Sequence, residues 1–265
     1  MPLASPTPKL TVSLEGAVAT VALDNPARRN ALDLEMWQAL PPLFAEIGAD
    51  PDVRVVLLRG AGEAAFSAGA DIAEFETVRA DAAGGQAYEA ANEAAFWAVA
   101  RCPKPVIAAI RGACLGGGFG LALSCDLRIA AEDAVFGVPA ARLGVGYPPG
   151  AVRLLTAALG VANAKHLFFT AGRIDATAAL RLGVVQLIVA TDRFEQAASS
   201  LARTIARGAP LTLRAAKAAI HEAVGLSAPG DASAASLADA CFDSADYREG
   251  RRAFLEKREP RFTGR

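Results

Sequence analysis

Histidine, cysteine, tryptophan and tyrosine are all scarce in this 265-residue chain. Its two histidines and four cysteines (Cys102, Cys114, Cys125 and Cys241) are scattered, with no C-x-x-C pair. That pattern argues against a zinc site, and no metal is expected. Single thiols in apolar surroundings read as small core residues in a reducing compartment, so a cytoplasmic location is expected. A surplus of one charge is also lacking: 27 Lys and Arg face 28 Asp and Glu. Neither a nucleic acid nor a membrane surface is therefore an expected partner. The longest uncharged stretch, between Arg111 and Asp126, falls short of the ~18 residues a membrane helix needs. Residues 1–8 carry no basic segment followed by an apolar run, so no secretory signal is expected.

Common catalytic motifs are missing as well. Gly116, Gly117, Gly118 and Gly120 do not meet the G-x-G-x-x-G spacing of dinucleotide-binding turns. No G-x-x-x-x-G-K-[ST] phosphate loop occurs, His221-Glu222 lacks the second His of H-E-x-x-H, and no Ser sits in a G-x-S-x-G elbow. His166 and His221 read as structural or surface residues on helices.

What is present is an alternation of short β-rich runs and helical segments. Residues 10–14 (LTVSL) and 17–23 (AVATVAL) read as a hairpin about Glu15-Gly16. Asp33 is placed to cap a helix through Ile47, which Pro41-Pro42 is expected to kink or split. Buried strands are predicted at 53–58 and 106–110, short strands at 127–131 and 134–138, and a further strand at 184–189. Residues 60–69 read as a loop and 79–86 as a mobile Ala/Gly stretch. Helices are predicted at 88–101, 194–207, 211–224, 236–242 and 246–256. Residues 225–231 (GLSAPGD) read as a linker, beyond which two helices are expected to form an arm. The pattern implies an α/β core with a helical C-terminal extension.

The segment Cys114-Leu115-Gly116-Gly117-Gly118-Phe119-Gly120 follows a buried strand and opens a helix. Glycine costs about 1 kcal/mol relative to alanine inside a helix, so four in five residues need a reason. One reason is close packing of helix on sheet. The other is an exposed N–H at a helix N-terminus, whose partial positive charge favours an anion. Without a lysine, the turn suits a small oxyanion better than a polyphosphate. An oxyanion hole needs a second donor from another segment. Phe66-Ser67-Ala68-Gly69-Ala70-Asp71-Ile72 is the candidate, with Gly69 allowing a tight turn and Ala70 presenting its N–H.

Together these segments resemble the crotonase superfamily, the enoyl-CoA hydratase/isomerase family. The matching words are PARRNAL (26–32), FSAGADI (66–72), KPVIAAIRGACLGGGFG (104–120), CDLRIA (125–130), FGVP (136–139), RLG (142–144) and DYREGRRAFLEKREPRFTG (246–264). The resemblance implies a spiral of ββα units over residues 1–200, with a helical oligomerisation region at 201–265 that assembles homotrimers or hexamers. It implies oxyanion donors at the N–H groups of Ala70 and Gly117, polarising the thioester carbonyl of an acyl-CoA substrate. No separate cofactor is expected, since coenzyme A arrives with the substrate. Arg28, Arg29, Ala68, Asp71 and Ile72, with Phe254 and Lys257 reaching from a neighbouring subunit, match positions around CoA.

The chain departs from the family where hydration would need its base and acid. The family's two glutamates fall at Gly120 and Ala140, and no acid occupies 145–148. Tyr147, in Leu143-Gly144-Val145-Gly146-Tyr147, instead resembles the loop of methylmalonyl-CoA decarboxylases, where loss of CO₂ generates the enolate directly. A lyase of that kind is the favoured expectation. A hydratase or isomerase with surrogate groups such as Glu93, Cys114 or Tyr147 is the alternative, and a non-catalytic CoA-binding subunit a third. Asp71 is expected to shape its loop. Reinstalling Gly120→Glu and Ala140→Glu is expected to raise hydration.

Overall fold

A computed structural model describes residues 3–228 and 230–265. Met1 and Pro2 of the N-terminal reading, and Pro229 of the linker, lie outside them. Strands β1 (Leu10–Glu15) and β2 (Val18–Leu23) form the expected hairpin, with Gly16 in the left-handed region at the turn. Helix α1 (Leu34–Ala49) follows, then β3 (Val55–Gly60), β4 (Ala65–Ser67), α2 (Phe75–Val78) and α3 (Ala82–Arg101). The middle of the chain supplies β5 (Val106–Ile110), β6 (Ala113–Leu115), α4 (Gly116–Leu123), β7 (Leu127–Ala131), β8 (Val135–Gly137) and α5 (Ala140–Leu143). Then come α6 (Pro149–Leu159), α7 (Val161–Thr170), β9 (Arg173–Asp175), α8 (Ala176–Arg181), β10 (Leu187–Val189), α9 (Phe194–Ala206), α10 (Pro210–Ala223), α11 (Ala234–Phe242) and α12 (Ala245–Glu256).

The strands sort into two sheets. The larger runs β1-β2-β3-β5-β7-β10 and is parallel apart from the hairpin; the smaller runs β4-β6-β8-β9, with only β9 antiparallel. Each of the pairs β3/β4, β5/β6 and β7/β8 sends its first strand to the large sheet and its second to the small one. The chain therefore advances as a spiral. Apolar runs such as β5, buried along its whole length, sit between helix layers, as two-sided burial of parallel strands requires.

Several expectations are corrected. α1 runs unbroken through Pro41 and Pro42. The prolines delete bonds to the carbonyls of Trp37 and Gln38, but they lie half-buried and exposed, and the buried stripe Met36, Trp37, Leu40, Leu43, Phe44 and Ile47 holds the helix in place. The stretch read as mobile is largely ordered helix, because Asp81 caps α3 by accepting from the Gly84 N–H at 2.7 Å. Loop 60–69 contains β4, and β9 was not foreseen; three-residue strands carry too little periodicity to read. The strand placed at 184–189 is confined to β10, since the N–H groups of Val184 and Val185 both turn back to the Ala179 carbonyl.

The C-terminal helices do not stand apart. α11 packs along α10, and the chain end returns to the body. Asp246 accepts from the Thr263 and Gly264 N–H groups at 2.6 and 2.8 Å, and Arg54 donates to the Phe262 carbonyl at 2.6 Å. Among the described residues, no helix is long and apolar enough to cross a membrane.

Candidate active site

Parallel pairing of β4 with β6 builds the site. Ala65 lies opposite Ala113 and Ser67 opposite Cys114, so the segments leaving the two strands emerge side by side at one end of the small sheet. One is Ala68-Gly69-Ala70 and the other Gly116-Gly117. Gly69 (φ 102°) and Gly116 (φ 51°) both occupy conformations that favour glycine. The approach is close: a β-carbon on Gly69 would stand 2.9 Å from the Leu115 carbonyl oxygen and 3.4 Å from the Gly117 nitrogen.

Bonding on either side isolates one amide in each segment. The Gly69 N–H donates to Ser67 Oγ at 3.1 Å and the Asp71 N–H to the Leu32 carbonyl at 2.8 Å. Between them, the Ala70 N–H has no acceptor among the described residues. Gly117 is the second residue of α4, where the N–H has no partner within the helix, and none comes from elsewhere among the described residues. Two amides without an acceptor among the described residues thus lie in the wall of one cleft, from separate turns, that of Gly117 at a helix N-terminus that favours negative charge.

A buried chain of contacts ties the two segments together. The Trp37 indole lies under Gly117, where a β-carbon would meet it at 3.0 Å. Its Nε1–H donates to the Tyr88 hydroxyl at 3.0 Å, and that hydroxyl donates to the Leu32 carbonyl at 3.3 Å. Leu32 in turn pairs with Gly69 and Asp71. Asn30 braces the same loop, donating to the Ala61 and Ala65 carbonyls at 2.9 and 2.7 Å.

A cleft of about 580 Å³, counted with its open mouth, spreads from Ala70 and Gly117. Ala68, Ile72, Phe75, Pro139, Ala140, Leu143, Val145 and Tyr147 supply most of its wall. Tyr147 packs edge-on against Phe168 at 5.1 Å between ring centroids. Burial raises its phenol above the ordinary value, and the Glu89 carboxylate pushes in the same direction. Tyr147 is therefore a neutral hydrogen-bond donor.

Three polar side chains in the cleft were not foreseen. Arg79 and Glu89 form an ion pair at its edge, with Arg79 4.2 Å from the ring centroids of both Phe75 and Tyr88. Arg79 Nε has no partner among the described residues. Burial raises the Glu89 carboxyl above its ordinary value against the pull of Arg79. Asn92 is buried beside Gly117; its Nδ2 lies 3.3 Å from where a β-carbon there would stand. The available signal was a polar residue on the apolar stripe of α3 (Tyr88, Asn92, Ala95, Phe96, Val99).

Glu93, one turn beyond Glu89, is not among the residues lining the cleft and lies against Gly150 instead. Cys114 is wholly buried, its thiol pushed well up by that burial, and it serves the core. Arg28 pairs with Asp71 at 3.0 Å, and the Arg29 carbonyl accepts from the Ala68 N–H at 2.9 Å. Arg28, Arg29, Ala68, Asp71 and Ile72 thus gather beside the cleft. Phe254, 84% exposed, and Lys257 lie at the end of α12, outside the cleft lining.

The space beside Gly120, where the resemblance puts the family's first glutamate, is filled from another helix. A β-carbon on Gly120 would stand 2.8 Å from Phe96 Cε2 and nearer still to the ring tip. A carboxylate side chain there would meet an aromatic core, so the expected gain from Gly120→Glu with Ala140→Glu requires Phe96 to move. Ala140, by contrast, faces the cleft.

Two backbone amides without an acceptor among the described residues line one cleft, and the strand pairs of a ββα spiral carry them, the architecture of the crotonase class. The enoyl-CoA hydratase/isomerase family model matches residues 13–265. The short-chain-enoyl-CoA hydratase of Clostridium acetobutylicum is 36% identical over 248 residues, covering 92% of this chain and 94% of that protein. The crotonyl-CoA hydratase of Syntrophomonas wolfei is 35% identical over 251 residues, covering 94% and 95%. The crystal structure of an enoyl-CoA hydratase/carnithine racemase from Magnetospirillum magneticum superposes with a TM-score of 0.90 at 40% identity, covering 98% of this chain and 97% of that one. The chain belongs to the enoyl-CoA hydratase/isomerase family.

Proposed function

We propose that this protein is an acyl-CoA lyase of its family, releasing CO₂ from a carboxylated acyl thioester. The carrying observation is the pair of unpaired amides at Ala70 and Gly117 in a cleft that Ala140 lines, with Gly120 packed behind it against Phe96, the two positions where the family resemblance expects glutamates. Loss of CO₂ leaves an electron pair on the α-carbon, and the charge delocalises onto the thioester oxygen held by the two N–H groups. Donors fixed in advance in a site with little water contribute several kcal/mol to such a step. No base is needed to form the enolate. Tyr147 orients the departing carboxylate through its hydroxyl, and Arg79 supplies positive charge in the same cleft.

Coenzyme A binds along the loop joining Ala68, Asp71 and Ile72, with Arg28 and Arg29 toward its phosphates. Phe254 and Lys257 reach a cleft only from a neighbouring copy, in a homotrimer or hexamer that covers the exposed apolar side chains Phe242, Phe254 and Leu255. The protein works in the cytoplasm, without nucleic acid or membrane partners.

Hydration of an enoyl thioester is the second reading, favoured by the Glu89 carboxyl in the cleft and by the hydratase names of the relatives. Purified protein offered malonyl- and methylmalonyl-CoA should release CO₂, while crotonyl-CoA keeps its conjugated thioester absorbance. Hydration of crotonyl-CoA without CO₂ release transfers the assignment to the second reading. Tight binding with neither reaction leaves a CoA-binding subunit.

A further inference from the structure

We propose that Glu89 is the catalytic acid–base residue of this cleft, carrying the proton to and from the substrate α-carbon. The inference rests on the enolate reading, because an enolate held at Ala70 and Gly117 must be quenched by a proton. With Gly120 and Ala140 at the usual positions, another carrier has to supply it. Glu89 is the one carboxyl group in the described lining of the cleft. Arg79 and Tyr147 are the other titratable side chains there.

Geometry fixes this carboxyl. Arg79 lies over the rings of both Phe75 and Tyr88, each centroid 4.2 Å away, and holds Glu89 through a side-chain ion pair. The pair is mostly covered, its side chains 13% and 22% exposed. Tyr88 also belongs to the Trp37–Tyr88–Leu32 chain that supports both donor amides. Donors and carboxyl are therefore held by one packed unit. Burial raises Glu89 above the ordinary carboxyl value, which brings a carboxyl group closer to neutral-pH proton exchange.

The step balances simply. The Glu89 O–H bond breaks as the enolate electron pair forms a bond from the α-carbon to that hydrogen. The oxyanion returns to a thioester carbonyl, and the Glu89 carboxylate regains a proton from solvent. In reverse, the carboxylate removes an α-proton from a saturated thioester. The reversal gives an assay that needs no loss of CO₂.

The test is deuterium exchange into the α-position of butyryl-CoA in D₂O, followed by NMR, with CO₂ release from malonyl-CoA measured alongside. Wild-type protein is expected to exchange, and Glu89→Gln to lose about 10²–10⁴-fold. Exchange that is absent in wild type, or equal in Glu89→Gln, overturns the role of Glu89. If CO₂ is still released in that case, the lyase reading survives alone. Glu89-dependent exchange without CO₂ release leaves the proton carrier standing and removes the lyase reading. Because Glu89→Gln leaves Arg79 uncompensated, its fold is checked by thermal melting. Should it fail to fold, Arg79→Gln/Glu89→Gln removes both charges together, and retained exchange in that variant also overturns the proposal.

Discussion

Phe96 occupies the space that a side chain at Gly120 would need, its ring edge 2.8 Å from where a β-carbon would be built. The ring is fully buried and meets Trp37 edge-on at 5.8 Å between centroids. A glycine at 120 and the placement of the aromatic ring are therefore one packing arrangement. Gly120→Glu alone should destabilise the protein by at least the ~1–3 kcal/mol typical of overpacking, and fail to raise hydration of crotonyl-CoA. Phe96→Ala/Gly120→Glu/Ala140→Glu, which opens the space, should melt higher than the single Gly120→Glu variant and hydrate measurably. Melting curves and the thioester chromophore read both outcomes.

Gly117→Pro removes one donor N–H in the first turn of α4, where no intrahelical bond is lost. Turnover should fall about 10²–10³-fold, as for loss of one oxyanion donor. The Trp37 contact adds strain, so a melting curve must accompany the kinetics. Tyr147→Phe keeps the ring against Phe168 and deletes only the hydroxyl; activity on a carboxylated thioester should drop while affinity for an uncarboxylated acyl-CoA stays the same.

The pH dependence follows from Glu89. Burial lifts its carboxyl, so the base form accumulates only as pH rises through a value above the ordinary carboxylate range. Exchange at the α-carbon should therefore rise with pH across that interval in wild type, and the rise should vanish in Glu89→Gln. Glu93→Gln should have the smaller effect of the two, which a paired comparison of exchange rates decides.

Asn30 joins stability to function. It is buried at a φ of 56° and bonds two carbonyls that shape the β4 loop. Asn30→Ala leaves both unsatisfied and should cost about 2–4 kcal/mol, lowering the melting temperature and the turnover together. Full turnover with a lowered melting point would separate the loop's stability from donor placement.

Much of this was legible in the chain. The glycine run at 116–118 and Gly69 announced backbone approach, and each glycine sits where a β-carbon or a right-handed φ would conflict with that approach. The long strands declared themselves by continuous apolar runs. β4 and β6, which aim the donors, are three residues each and show only in the pairing. Arg79 was hidden because it opens an Ala/Gly-rich segment that reads as loose chain, while the Asp81 cap and the Phe75 and Tyr88 rings order it; Glu89 lies on the helix read at 88–101, where no local spacing sets it apart from Glu93. Phe96 opposite Gly120 is a contact between helices, which no local spacing reports.

Infrared spectroscopy of a ¹³C=O-labelled acyl-CoA bound at saturation reads the polarisation of the thioester directly. The carbonyl stretch should move to lower frequency on binding, and Gly117→Pro should reverse most of that shift. A carbonyl that absorbs at its solution frequency when bound would contradict the convergence of the Ala70 and Gly117 amides on the substrate.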